Sequence, residues 1–232
     1  QVTAISGDVN NAANRDLLAE TADQHGGLDL LVNNASTLGA SPLPSLLDFP
    51  LVTLEQVYQT NVIAPLGVFQ AVYPYLSEGA AVFNISSDAG AEAYAGWGGY
   101  GSSKAALDHL TAILAEEHPT LRIYSVAPGD MRTQLHQDAF PGEDISDRPL
   151  PEESIPGLLQ LLDGDYPSGR YQAKAMTTHD ESGVSELRIV LRAEAFDETV
   201  NLYRDGLQLP ISGGWDDPNG RGTVFDAGRA TI

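Results

Sequence analysis

Up to about residue 176 the chain alternates short apolar runs with longer amphipathic stretches, and this alternation restricts the fold more than any other feature. The runs VTAIS (2–6), LDLLVNNAS (28–36), AAVFNISS (80–87), LRIYSVAPG (121–129) and SGRYQAKA (168–175) read as strands. Between them, 14–26, the long stretch 53–76, 100–118 and 151–164 carry apolar residues at helical spacing. Strand and helix in repeated alternation predict a parallel sheet covered on both faces. At residue 176 the texture changes. MTTHDESGVSE is polar and without period, and separates two patterned regions as a linker does. The expected division is therefore a first domain at 1–176, a linker at 177–186 and a small second region at 187–232.

Composition narrows the classes of function. The 12 Lys and Arg stand against 32 Asp and Glu, a formal net charge of −20, which repels nucleic acid and anionic membrane surfaces at long range. Neither is an expected partner. No apolar run approaches the roughly 20 residues that span a bilayer, and no basic start precedes an apolar run. The sequence has no Cys, so thiolate metal sites and disulfides are excluded. These features fit a cytoplasmic enzyme. Lys104 and Lys174 are the two lysines beside ten arginines; a genome or salt-adaptation bias is the simpler account of that ratio, and the Lys at position 104 is a hint that a compact ammonium is kept there.

In GGYGSSKAAL, Tyr100 precedes Lys104 by one helical turn, so the two share a face. An ammonium beside a phenol favours the phenolate and lowers its pKa from about 10. Such a phenol can act as a general acid and base. A Tyr and a Lys four apart also arise by chance as a surface contact, and the neighbouring segments decide between the two. NISS ends one strand at Ser87, and VAPGDMRT follows the next. Ligands of open α/β sheets bind at these strand ends.

With these motifs in this order, the sequence resembles the short-chain dehydrogenase/reductase family over residues 1 to about 176. The resemblance implies a Rossmann-like, doubly wound parallel sheet and hydride transfer between NAD or NADP and a small carbonyl or alcohol. It implies a catalytic set of Asn61, Ser87, Tyr100 and Lys104. Ser87 would bond the substrate oxygen and Tyr100 would exchange its proton. Lys104 would hold the nicotinamide ribose and depress the phenol, and Asn61 would bend the long helix and anchor a proton-relaying water. For the cofactor it implies Asp8 and Val9 at the adenine, Asn34 and Ala35 along the cleft, and Pro128, Gly129 and Thr133 at the nicotinamide, beside Tyr100 and Lys104. Ser36 departs from the family, which has Gly there. The long polar segment 132–153 is expected as a loop acting as a substrate lid, with Trp97, Met131, His136 and Phe140 lining the pocket. For His136 alone, a solvated loop position is the simpler expectation.

The family opens with two further strands and a glycine-rich turn that holds the pyrophosphate on backbone amides. By the resemblance this sequence starts at the third strand, so the sheet is expected to lack its first two strands and the nucleotide to lack that turn. Residues 187–232 resemble the opening of a vicinal-oxygen-chelate, glyoxalase-like module, a small α+β unit of strand, helix and two strands. Arg188 stands where metal-using members carry a His ligand, so no metal site is expected. The apolar faces of 53–76 and 100–117, which relatives pair across a two-fold axis, imply a homodimer or homotetramer. Two rival readings stay open at this point. One is a remnant that keeps the catalytic set but cannot hold a dinucleotide, and the other is a tail that binds a small ligand.

Overall fold

Successive side chains of a strand point to opposite faces, so a run that is apolar throughout needs cover on both sides. Three largely apolar runs and one short, half-polar edge strand form one sheet in the order β1 (Leu28–Asn33), β2 (Leu76–Ile85), β3 (Arg122–Ala127) and β4 (Gly169–Gln172). All three pairings are parallel. The structure, a computed structural model, describes residues 3–177, Arg204 and the backbone of 211–217 and 220–225. The chain divides into two compact units, Gln1–Thr178 and His179–Ile232.

Alternation along β2 and β3 sends side chains into two separate cores. Val82 and Ile123 join Leu31, Val68, Phe69, Val72 and Leu114 on one face. Ala81, Phe83, Tyr124 and Val126 join Leu161, Ala173 and Met176 on the other. The first face is covered by α1 (Ala12–Gln24), α3 (Ala64–Val72) and α4 (Gly98–Glu117). The second is covered by α6 (Ile155–Asp163) and α7 (Ala173–Thr177). This is the two-faced parallel α/β sheet that the sequence pattern predicts.

The long helix forms with an interruption. After α2 (Leu51–Tyr58) comes a π turn, Gln59–Ile63, in which Ala64 N–H bonds Gln59 C=O, and α3 follows directly. Pro65 has no N–H to return to the Asn61 carbonyl, so the regular ladder cannot pass this point, and the helix takes up the irregularity as a π turn. Asn61 sits inside it and is fully buried.

Two expectations are corrected. VTAIS forms no strand at its described positions, 3–6. A strand exists only through a ladder, and among the described residues none lies at the free edge of β1 to pair with it. The segment expected as a loop, 132–153, contains the short helix α5 (Gln134–Ala139). The Thr133 hydroxyl caps α5 by accepting from His136 N–H at 3.2 Å. This is capping chemistry that a polar, proline-bearing stretch conceals.

In the second unit β5 (Ile211–Asp217) and β6 (Gly220–Phe225) pair antiparallel. The expected linker after residue 177, and the strand and helix expected ahead of this pair, lie outside the described residues.

Helix α6 meets the β4–α7 junction backbone to backbone, since a Cβ on Gly157 would collide with the Ala173 carbonyl. Gly157→Ala is expected to destabilise the first unit by about 1–3 kcal/mol through overpacking. Urea unfolding midpoints of the two proteins check this, and an unchanged midpoint refutes it.

Candidate active site

Because the four strands are parallel, their C-terminal ends share one edge of the sheet, and the chain leaves that edge at 34–36, 86–88 and 128–130. A cleft of ≈ 630 Å³ opens there. Asn34, Ala35, Ser87, Tyr100, Lys104, Pro128, Gly129 and Thr133 all line it, and so do Trp97, Met131, His136 and Phe140.

Helix α4 approaches this edge closely enough to bring Tyr100 and Lys104 beside Ser87. Its contact is the 3₁₀ turn Asp88–Gly90, and both partners are glycines at the touching points. A Cβ on Gly101 would lie 2.7 Å from the Ala89 carbonyl, and one on Gly90 would lie 3.0 Å from an Asp108 carboxylate oxygen. Ser87 starts that turn. Its hydroxyl donates to Asp88 Oδ1 at 2.8 Å and accepts from Ala89 N–H at 3.2 Å.

Lys104 is 2% exposed, and its ammonium donates to the Ile85 carbonyl at 2.7 Å, at the last residue of β2. It lies 5.4 Å from the centroid of the Tyr100 ring. Burial lowers its pKa from 10.5 to about 8, against an opposing pull from Asp108. Tyr100 is pushed up to about 12 by burial, while hydrogen bonds with the Ser36 and Ser87 hydroxyls act in the opposite direction. This corrects the expectation of a depressed phenol. Within these residues desolvation outweighs the hydroxyl bonds, and the ammonium is turned toward a backbone carbonyl.

Asn61 lies behind the cleft. Its side-chain amide donates to Thr37 C=O and to Ser103 Oγ, each at 2.9 Å, and its Oδ1 accepts from Thr37 N–H at 2.9 Å and from Ser36 Oγ at 3.2 Å. Asn33 ties β1 to β2 by donating to Asn84 Oδ1 at 2.8 Å. Asp8 and Val9 are not among the lining residues. They precede α1, where Asp8 accepts from Asn10 N–H at 2.9 Å and the Val9 carbonyl accepts from Arg15 at 2.8 Å. His136 is buried, contrary to the solvated expectation, with its ring 5.1 Å from Phe140 and its Nε2 3.3 Å from Arg148 Nε.

Sequence reasoning missed Ser36, whose hydroxyl reaches both Asn61 and Tyr100. The signal was present, since Ser36 is the position where the motif departs from the family. It also missed Asp108, one turn beyond Lys104 on the same helix face.

The residues fit a nicotinamide cofactor on one independent observation. Ser86 Oγ is buried at the cleft with no hydrogen-bond partner, a polar atom left for a ligand. It lies beside the positive-φ turn at Gly129 and the buried ammonium of Lys104.

Fold and cleft together define a parallel α/β protein with a serine, a tyrosine and a buried lysine at the carboxyl edge of its sheet. Residues 1–144 match the short chain dehydrogenase family model, and the chain belongs to that family. It is 28% identical to an oxidoreductase of Saccharomyces cerevisiae over 179 residues, covering 74% of this chain and 69% of that protein. A short chain dehydrogenase structure from Salmonella enterica serovar Typhi superposes with a TM-score of 0.68 at 28% identity, covering 73% of each chain. Another, from Escherichia coli CFT073 and complexed with NADPH, gives 0.65 at 29% identity, covering 71% of this chain and 70% of that one. The chain spans between about half and two thirds of the length of most of the curated relatives it matches. Among the described residues no helix is long and apolar enough to cross a membrane.

The buried ammonium has a measurable cost. Below pH 8 both folded and unfolded chains carry the Lys104 proton, and the cost of burying the charge is fully present. Between 8 and 10.5 the folded chain gives up the proton first, so the cost fades as pH rises. Lys104→Met is expected to stabilise the fold at pH 7 by on the order of 3 kcal/mol, with the advantage shrinking toward pH 10.5. Urea midpoints of the two proteins across this range test it, and a difference independent of pH contradicts it.

Proposed function

We propose that the chain carries the catalytic residues of an NAD(P)-dependent oxidoreductase that interconverts a carbonyl and an alcohol. The observation that carries this reading is the convergence of Ser87, Tyr100 and Lys104 on one cleft at the carboxyl edge of the sheet. A nicotinamide dinucleotide, when bound, supplies or accepts the hydride. Tyr100 gives its proton to the carbonyl oxygen in reduction and takes it back in oxidation. Ser87, turning from Asp88, donates to the same oxygen and fixes its position. Lys104, with a pKa of about 8, is charged at neutral pH and offsets the phenolate that the transfer leaves. Asn61 holds the loop at Ser36 and Thr37 in place through four hydrogen bonds. Trp97 and Phe140, 5.9 Å apart, wall one side of the cleft.

The lining supports a site for the nicotinamide half of the dinucleotide, whether NAD or NADP. The sequence contains no Thr-Gly-x-x-x-Gly-x-Gly turn to hold a pyrophosphate. Reduced nicotinamide mononucleotide is therefore expected to bind this chain about as well as NADPH, and Lys104→Met to weaken both. Tyr100→Phe should leave binding intact and abolish carbonyl reduction, a loss of at least about 10²-fold. Fluorescence titration and an NADPH-consumption assay read these two outcomes. A Tyr100→Phe protein that keeps full turnover removes the proposal.

The domain reading assigns 1–176 to this oxidoreductase unit and 187–232 to a partial glyoxalase-like module, with the β5–β6 pair as the module's only described support. A homodimer or homotetramer is also proposed. Leu51 at 74% exposed, Val52 at 63% and Ile63 at 51% line the outer face of the long helix, and Ile113 lies exposed on α4. Sedimentation at high protein concentration should show a dimer or tetramer, and a strict monomer counts against it.

A further inference from the structure

We propose that Asp108 and Arg170 are positioning residues for this centre. Their ion pair latches the strand end that carries Ser87, and the Asp108 carboxylate keeps the buried Lys104 in its charged form. The inference rests on the reading of Ser87 and Lys104 as catalytic.

Arg170 lies on β4 in register with Ser125 of β3. β4 does not touch β2, yet the guanidinium reaches over β3 to the end of β2. Its Nη2 donates to the Ser87 carbonyl at 2.9 Å and its Nε to Asp108 Oδ2 at 2.9 Å. The other Asp108 oxygen accepts from the Ser125 hydroxyl. One planar fork thus joins helix α4, β3, β4 and the turn that begins at Ser87, a geometry that the point charge of a lysine cannot reproduce. The Asp108 side chain is 14% exposed and that of Arg170 29%, so the carboxylate is the better shielded end of the pair.

Asp108 is also one helical turn beyond Lys104, on the same face. The charged and titratable groups around that ammonium are few. Tyr100 and Asp108 face it from its own helix, Asp88 lies on the turn after β2, and Arg170 approaches from β4. Arg170 bonds both the Asp108 carboxylate and the Ser87 carbonyl, so the one arrangement bears on where Ser87 sits and on how firmly Lys104 keeps its proton. Ser87 and Lys104 are thereby coupled without touching each other.

The chain's two lysines make the test direct. Protein labelled with ¹³C at lysine Cε gives two resonances, and Lys174→Arg assigns that of Lys104. The wild-type Lys104 resonance should titrate near 8. Asp108→Asn should move the midpoint lower still, by on the order of one pH unit. Loosening of the fold would do the opposite and carry the midpoint up toward 10.5, so the sign separates a charge effect from a merely structural one. Arg170→Met should accelerate amide exchange at Gly90 and Ala91, whose N–H groups bond Ser87 and Asp88, by roughly tenfold, with β2 unaffected. Arg170→Lys should restore less than half of that protection.

A midpoint that stays put or rises in Asp108→Asn overturns the proposal, and so does unchanged exchange at Gly90 in Arg170→Met. None of these readouts needs a nucleotide. Failure of NADPH to bind would fall on the proposed oxidoreductase reading and leave this result standing.

Discussion

A single ammonium group held almost wholly out of water sets the terms for the rest of the first unit. Lys104 has the carbonyl of Ile85 as its hydrogen-bond acceptor, at the last residue of the central strand. Keeping that bond requires helix α4 to lie hard against the sheet's carboxyl edge, and a Cβ at Gly101 or Gly90 would push it away. It also requires a carboxylate nearby, because an isolated buried charge gives up its proton. Asp108 provides the carboxylate, and Arg170 and Ser125 hold it. The glycines, the acid and the arginine are therefore consequences of one buried charge.

Such a charge is poor economy for stability, since an apolar side chain of similar length would serve the core better. Two further polar features of the same region follow the same pattern. The π turn at Gln59–Ile63 gives up regular helical hydrogen bonds to seat a fully buried asparagine. Ser86 keeps a buried hydroxyl with no partner. These three departures from local rules lie at or just behind one cleft, while the apolar clusters on the two sheet faces show none; a further unpartnered buried atom, Asn10 Oδ1, lies away from the cleft lining. Strain and unmet polarity concentrated at one edge mark a site for chemistry.

Much of this was legible in the residues. Three strands of the parallel sheet, β1, β2 and β3, and the helices between them follow from apolar period, since both faces of the sheet are covered there, while β4 is a short edge strand with two polar side chains. Tyr100 and Lys104 were legible from helical spacing, and Ser87 from its place at a strand end. What stayed hidden depended on long-range pairing. Nothing local distinguishes VTAIS from a real strand, because the missing ingredient is a neighbour. Thr133 reads as a loop threonine until the turn that it caps is seen. Arg170 lies 62 positions from Asp108 and 83 from Ser87, so no periodicity links it to either. The sign of the Tyr100 shift was misread for a related reason. Adjacency on a helix shows that an ammonium is near, but it does not show that the phenol is buried or that the ammonium points elsewhere.

Burial moves the two groups in opposite directions, the phenol up and the ammonium down. With Tyr100 near 12 and Lys104 near 8, the phenol is protonated at every pH where the fold carries a charged lysine. The cleft thus presents a hydrogen-bonded acid beside a cation, the arrangement that a carbonyl oxygen gaining negative charge requires. Removing a proton from an alcohol calls for the opposite state, a phenolate, and its cost rises with the desolvation that raises Tyr100. Lowering that cost needs the ammonium to leave the Ile85 carbonyl, or a further positive charge to enter near the ring. An oxidised nicotinamide carries such a charge and its reduced form does not. The burial of Tyr100 thereby ties the proton state of the phenol to the charge of whatever group lies against it.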